Sequence, residues 1–199
     1  MNLTPRLDES IKLASRLHRN QTRKDSERTP YISHLVAVAS LISQATEDED
    51  IIIAGLMHDS IEDVENYSYE KLVEDCGEKV ATIVKGVTET KEYSQVEDRE
   101  LRWLKIREMY LENLKLSQKE SSLVAVADKI HNNESFLLDM EREGDIFLKR
   151  FGASMRNKLW FNEASLEVVK EKLGADHILV KRFESSIEKF RKLVENYEK

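Results

Sequence analysis

Hydrophobic residues recur every three or four positions along most of the chain, which is the spacing of amphipathic helices. No run of alternating apolar and polar residues convincingly indicates a strand. Two prolines and six glycines interrupt the 199 residues, and a β-rich fold of this length would need more turn residues. The pattern therefore predicts an all-α protein.

The same pattern places the helices. Thr4 and Pro5 form a typical helix start, and this first helix is predicted to run to Leu17. Asp48 is predicted to cap a helix that stays almost wholly apolar through Met57, which is typical of a central helix. Further helices are predicted at about 34–44, 68–77, 78–90, 98–115 and 121–141, with two more on either side of Gly174. The polar segments 19–30 and 91–97 are predicted to be loops.

The chain shows no internal repeat, low-complexity tract or linker. Its length suits one domain with a sizeable core. We expect a single domain over 1–199, with a core at about 7–140 and a helical C-terminal extension at about 145–197. Hydrophobic residues make up 40% and charged residues 35%, which indicates a globular protein with a densely charged surface.

The charge balance limits the classes of binding partner that we expect. The net charge is −7 with acids and bases interspersed, which argues against a nucleic-acid partner. A small anionic substrate stays compatible, because a metal ion and local bases can reverse the sign in one cleft. No apolar run approaches the roughly 20 residues of a membrane span, and the first residues lack a signal-peptide pattern. The single cysteine, Cys76, suits a reducing compartment. We expect a cytoplasmic protein with no membrane partner.

A cluster of ionisable side chains directly follows the most apolar helix. On a helix, His58 and Glu62 would share one face, as would Asp59 and Asp63. Carboxylates so close together repel one another, and a divalent cation is an obvious compensation. The alternative is an exposed, charged helix end.

Asp128 interrupts an apolar run in mid-helix, where a buried aspartate is costly. Asn132, four residues later, shares its face and could contact a ligand there. The alternative is an aspartate at the surface, paired with Lys129 or Lys105.

His34 opens another apolar helix and could be either a metal ligand or a half-buried core residue. The remaining histidines are weaker candidates: His18 lies at a basic helix end, His131 is expected to point away from Asp128, and His177 begins a late surface helix.

Together these elements give a ligand set of two imidazoles and two carboxylates, from His34, His58, Asp59 and Asp128. Four protein ligands leave positions open on a six-coordinate ion. The set favours Mn²⁺ or Fe²⁺, while Zn²⁺, Ni²⁺ and Co²⁺ are possible. Because no thiolate contributes, a structural zinc site is not expected.

The order of these residues resembles the HD superfamily of metal-dependent phosphohydrolases. Further motifs resemble the hydrolase domain of RelA/SpoT homologues, and in particular the small alarmone hydrolases. The motifs are Arg23-Lys24-Asp25, Pro30-Tyr31-Ile32-Ser33-His34, His58-Asp59-Ser60-Ile61-Glu62-Asp63, Gly86-Val87-Thr88 and Ala127-Asp128-Lys129-Ile130-His131-Asn132.

The resemblance implies a single-domain HD-type helical bundle that removes the 3′-pyrophosphate from guanosine tetra- and pentaphosphate with one Mn²⁺. It implies that the four residues above are the metal ligands and that Glu62 and Asp63 orient and deprotonate the attacking water. It also implies that Arg23 and Lys24 hold the nucleobase and that Asn132 contacts the nucleotide. Lys91 and Lys129 are further candidates, because a leaving pyrophosphate needs cationic side chains nearby.

Two departures from the family pattern leave the identity of the substrate undetermined. The segment 92–100 is acidic and Ile106 stands where relatives carry more basic residues. One alternative is therefore an HD phosphohydrolase that acts on another nucleotide or on the ribose phosphate of a dinucleotide. The other is a metal-bound sensor or interaction module without catalysis.

Overall fold

The computed structural model describes residues 2–89, 92–150 and 154–197. Within these ranges the chain forms eleven α-helices and a 3₁₀ helix at Glu92–Gln95, and no strand apart from an isolated bridge between Thr22 and Pro30. The helices are α1 (Pro5–Leu17), α2 (Ile32–Ile42), α3 (Glu49–Met57), α4 (Ser60–Asp63), α5 (Tyr69–Cys76), α6 (Glu78–Lys85), α7 (Arg99–Leu116), α8 (Lys119–Glu143), α9 (Asp145–Leu148), α10 (Met155–Leu173) and α11 (Ile178–Tyr197). The all-α prediction is confirmed.

The predicted caps start the helices. The Thr4 hydroxyl accepts the Leu7 N–H at 3.1 Å, and the Asp48 carboxylate accepts the Asp50 N–H at 3.0 Å. Each cap satisfies a backbone donor that has no partner inside the helix. These side chains fix where α1 and α3 begin.

Two sequence predictions need correction. The helix expected over 78–90 ends at Lys85, because the N–H groups of Val87 and Thr88 bond to carbonyls three residues earlier rather than four. The acidic cluster does not lie on one continuous helix. Residues His58 and Asp59 form the break between α3 and α4, and this break aims both side chains into the interior.

The helices α3 and α8 organise the interior. Every residue of α3 from Ile51 to Met57 is buried, as the apolar run predicted. The 25-residue α8 packs on α2, α3 and α6 and also on α10 and α11. It therefore connects the N-terminal helices with the C-terminal ones.

Buried amides fix the C-terminal helices on α8. Asn162 of α10 donates to Asn133 Oδ1 at 2.9 Å, and Asn133 of α8 donates to Ser186 Oγ of α11 at 3.2 Å. Unpaired buried amides are costly, so this chain of bonds disfavours other alignments of the three helices. No helix within the described ranges is long and apolar enough to cross a membrane.

Gly86 permits a close approach between the end of α6 and the start of α8. A Cβ atom at Gly86 would overlap Ser121 Oγ and would lie 2.8 Å from the Cβ atoms of Ser117 and Ser121. Ser121 cannot rotate away freely, since its hydroxyl donates to the Ile83 carbonyl at 2.9 Å. A side chain at this position would push the two helices apart.

We therefore expect Gly86→Ala to lower the free energy of unfolding by about 1–3 kcal/mol, the usual effect of overpacking. The matched control is Gly55→Ala, where the added methyl meets the terminal Cδ1 of Ile42. That methyl can rotate, and alanine is the better helix former by roughly 1 kcal/mol, so the control should lose less. Urea unfolding measures both, and a Gly86→Ala protein as stable as wild type would contradict the account.

Candidate metal centre and active site

Three separate parts of the chain bring the four predicted ligands together. His34 lies in the first turn of α2, His58 and Asp59 lie between α3 and α4, and Asp128 lies in the middle of α8. His34 Nε2 is 3.2 Å from Asp128 Oδ1 and 3.8 Å from Asp59 Oδ2. His58 Nε2 is 3.1 Å from Asp59 Oδ2 and 3.6 Å from Asp128 Oδ1. Ligand atoms of His34, His58 and Asp59 lie within 4.8 Å of one another, and Asp128 Oδ1 faces the same two imidazole nitrogens.

Neighbouring groups hold the His58 and Asp59 side chains. His58 Nδ1 lies 2.9 Å from the Gly55 carbonyl and carries a proton, so Nε2 is the nitrogen that presents the lone pair when the imidazole is neutral. The Tyr31 hydroxyl donates to Asp59 Oδ2 at 2.6 Å. Ligand side chains are oriented in this way in many metal sites.

Asp128 is held by its own helix. Asn132 donates to Oδ1 at 2.6 Å and Lys129 donates to Oδ2 at 2.8 Å. Lys129 also lies 4.8 Å from the centre of the Tyr110 ring. The pairing of Asp128 with Lys129 that the sequence allowed is therefore present, but it is mostly buried: each side chain is 13% exposed.

Burial and close charges shift the pKa values of these groups in opposite directions. Burial alone would raise the pKa of Asp59, but His58 and His34 hold it below its ordinary value. Burial likewise opposes ionisation of Asp128, and Lys129 and the two imidazoles keep its pKa low. Burial would lower the pKa of His58, but Asp59 and Asp128 raise it well above 6.5. The carboxylates are thus charged and need a positive partner.

The donor set fits a divalent cation. His58 Nε2 is buried and has no hydrogen-bond partner in the part of the chain that the structure describes, although two carboxylate oxygens face it. A lone pair directed at carboxylates is unfavourable unless a proton or a cation lies between them. Oxygen and imidazole donors without thiolates suit Mn²⁺, Fe²⁺ and similar ions.

A cavity of about 520 Å³ opens beside this centre. Glu62 and Asp63 line it next to Asp59. The Glu62 carboxylate accepts the Glu89 N–H at 3.0 Å, and Glu89 in turn pairs with Arg107. Burial, with the charges of Asp59 and Asp63, raises the pKa of Glu62 to about 7. A carboxylate with this pKa can accept a proton near neutral pH.

Four of the predicted substrate-binding residues line the same cavity: Arg23, Lys24, Lys129 and Asn132. Arg23 donates to Asn132 Oδ1 at 2.9 Å, and its guanidinium lies 5.7 Å from the centre of the Tyr31 ring. Lys91 lies outside the described residues.

The structure adds site residues that the sequence did not reveal. Lys158 of α10 lines the cavity, and burial together with the charges of Lys24 and Arg107 lowers its pKa to about 8. No spacing in the sequence marks Lys158, because it lies on a helix thirty residues after Asp128. His131, a weaker candidate in the sequence, contacts His34 Nδ1 at 2.8 Å, on the side of that ring opposite the nitrogen that faces Asp128. His18, expected at a helix end, is 2% exposed and contacts Gln21 at 2.6 Å.

Comparison with known proteins identifies the family of the chain. The HD domain family model matches residues 10–144. The guanosine-3′,5′-bis(diphosphate) 3′-pyrophosphohydrolase MESH1 of Danio rerio is 37% identical over 126 residues, which cover 62% of this chain and 65% of that protein. Its counterpart in Xenopus tropicalis is 32% identical over 176 residues, which cover 86% of this chain and 87% of that protein.

A solved structure, described as a metazoan orthologue of SpoT that hydrolyses ppGpp, shares the fold. It superposes with a TM-score of 0.72 over 97% of this chain and 98% of that one, at 23% identity. The matched residues 10–144 include all four converging side chains and the Glu62–Asp63 pair. The chain belongs to the HD domain family.

Proposed function

We propose that this protein is a metal-dependent hydrolase that releases pyrophosphate from the 3′ position of guanosine 3′,5′-bis(diphosphate). The observation that carries the proposal is the convergence of His34, His58, Asp59 and Asp128 beside the raised-pKa carboxylate of Glu62. The activity after which the MESH1 relatives are named supports the choice of substrate.

In this proposal the four converging side chains hold one divalent cation, most suitably Mn²⁺. When bound, the cation polarises a phosphoryl oxygen and makes a coordinated water more acidic. The chain supplies the orientation: Tyr31 holds Asp59, while Asn132 and Lys129 hold Asp128. We also retain the predictions of a single domain over 1–199 and of a cytoplasmic location.

Glu62 is the proposed general base, with Asp63 beside it. The Glu89 N–H fixes one oxygen of Glu62, and Arg107 fixes Glu89 through their ion pair. Arg107 is itself held between aromatic rings, 5.1 Å from the centre of Trp103 and 5.0 Å from that of Phe161. A base that is held in place loses little entropy in the transition state and contributes roughly 10²–10⁴-fold in rate.

Cationic side chains favour a substrate with two separate anionic groups. Arg23 can stack its planar guanidinium on a purine, and Asn132 lies against it. Lys24, Arg107 and Lys158 lie close enough for the first two to lower the pKa of Lys158. These cations line a cavity that also contains the carboxylates of the metal centre, and they give an anionic ligand its contacts there. We propose that they contact the 5′-diphosphate while the 3′-diphosphate lies at the metal centre.

The first test is a nucleotide panel. Mn²⁺-loaded protein should convert the guanosine tetraphosphate to GDP with one pyrophosphate released per turnover, measured by coupled pyrophosphate and phosphate assays. GTP, a reduced dinucleotide 2′-phosphate and other phosphorylated nucleotides complete the panel. Release of phosphate from the dinucleotide alone would favour the alternative substrate class, and no turnover of any member at micromolar protein would favour the non-catalytic module.

The second test separates metal binding from proton transfer. Asp59→Ala should lose Mn²⁺ binding and activity together, because it removes a proposed ligand. Glu62→Gln should keep Mn²⁺ affinity within a few-fold and lose about 10²–10⁴-fold in kcat, the range for a general base. Calorimetric Mn²⁺ titration and steady-state kinetics measure the two effects.

The control for charge is Glu65→Gln, an exposed residue three positions after Glu62 that does not line the cavity. It should leave both properties unchanged. Full activity in Glu62→Gln would refute the assignment of Glu62 as the base.

The third test concerns Lys158. Lys158→Met should raise KM for the tetraphosphate about tenfold, which corresponds to roughly 1.4 kcal/mol of lost binding. Lys170→Met is the matched control, because Lys170 lies on the same helix but pairs with Glu184. Equal KM values in Lys158→Met and wild type would show that Lys158 does not contact the substrate.

A further inference from the structure

His131 contacts a proposed metal ligand directly. It lies on α8 three residues after Asp128, so both side chains share one face of that helix. Its Nδ1 is 2.8 Å from Nδ1 of His34, and the ring centres are 4.8 Å apart. His34 is 1% exposed, so water does not reach this contact freely.

The contact requires that one nitrogen carries a proton and the other a lone pair. A neutral imidazole has one of each. If His34 carries its proton on Nδ1, then Nε2 presents a lone pair to the space between Asp59 and Asp128. If His131 donates instead, His34 must carry its proton on Nε2, and that nitrogen cannot bind a cation. The partner of His34 Nδ1 therefore selects whether His34 can be a ligand.

The two ligand histidines differ in the kind of partner that determines which ring nitrogen carries the proton. His58 Nδ1 faces the Gly55 carbonyl at 2.9 Å, and a backbone carbonyl can only accept. The partner of His34 is a side chain that could in principle donate or accept. Ser135 Oγ lies 3.5 Å from the same His131 nitrogen, at the limit of a hydrogen bond. The stronger contact of His131 Nδ1 is thus the one to His34.

We propose that His131 is a positioning residue: its Nδ1 accepts the Nδ1–H of His34 and so holds His34 in the tautomer that ligates the metal. The inference rests on the metal centre of the proposed function and extends it to a residue outside the ligand set. It also gives one stretch of α8 three roles. Asp128 is a ligand, His131 holds another ligand, and Asn132 contacts Arg23 on the nucleotide side.

Mn²⁺ affinity tests the proposal without reference to turnover. His131→Leu removes the acceptor, and Mn²⁺ affinity should fall about 10–100-fold, the usual effect of losing such a partner. His131→Asn keeps an acceptor oxygen near the position of Nδ1 and should bind Mn²⁺ within a few-fold of wild type. Affinities are measured by the electron paramagnetic resonance signal of free Mn²⁺, and thermal unfolding of the metal-free proteins reports on folding.

Wild-type affinity in a folded His131→Leu protein would overturn the proposal, as would a folded His131→Asn protein that binds as weakly as His131→Leu. If His131→Leu does not fold, nitrogen NMR of the metal-free wild-type protein decides, because there either nitrogen of His34 is able to carry the proton. A proton on His34 Nδ1 supports the assignment, and a proton on Nε2 refutes it. Wild-type protein that binds Mn²⁺ but hydrolyses nothing would contradict the proposed function and leave the role of His131 intact. Wild-type protein that binds no Mn²⁺ would refute both the proposed function and the role of His131.

Discussion

The structure depends on positive charges and hydrogen-bond donors that compensate the negative charges of two carboxylates between apolar helices. Asp59 and Asp128 are mostly buried and remain ionised, which is unfavourable unless positive charge and hydrogen-bond donors surround them. The chain provides Tyr31, Lys129 and Asn132 as donors. The imidazoles of His34 and His58 face the same oxygens and complete a set that a divalent cation would neutralise.

The helical packing makes this arrangement rigid. The apolar helix α3 positions His58 and Asp59 at its end. Helix α2 positions His34, and the buried part of α8 positions Asp128. Close packing of α3 on α2 and α8 leaves little room for these elements to shift. The same helix α8 packs on α10, which places Lys158 at the cavity, so one long helix connects the metal centre with the C-terminal part of the chain.

Much of this could be predicted from the sequence. The caps at Thr4 and Asp48 and the burial of α3 follow from local patterns, which need only nearby residues. Asp128 stood out because a charged residue in an apolar helical run is costly. The break between α3 and α4 was missed, since the spacing of 58–63 is equally compatible with a continuous helix. The early end of α6 was missed because the change to shorter backbone hydrogen bonds at Val87 and Thr88 has no signal in the local spacing. The position of Lys158 at the cavity and the contact of His131 with His34 likewise depend on tertiary packing, which the spacing of hydrophobic residues does not predict.

The most direct measurement of the central claim is anomalous diffraction at the manganese edge from crystals of the protein grown with Mn²⁺. The account predicts one strong peak per chain, within bonding distance of His34, His58, Asp59 and Asp128. A peak elsewhere, or none between these four side chains, would contradict it.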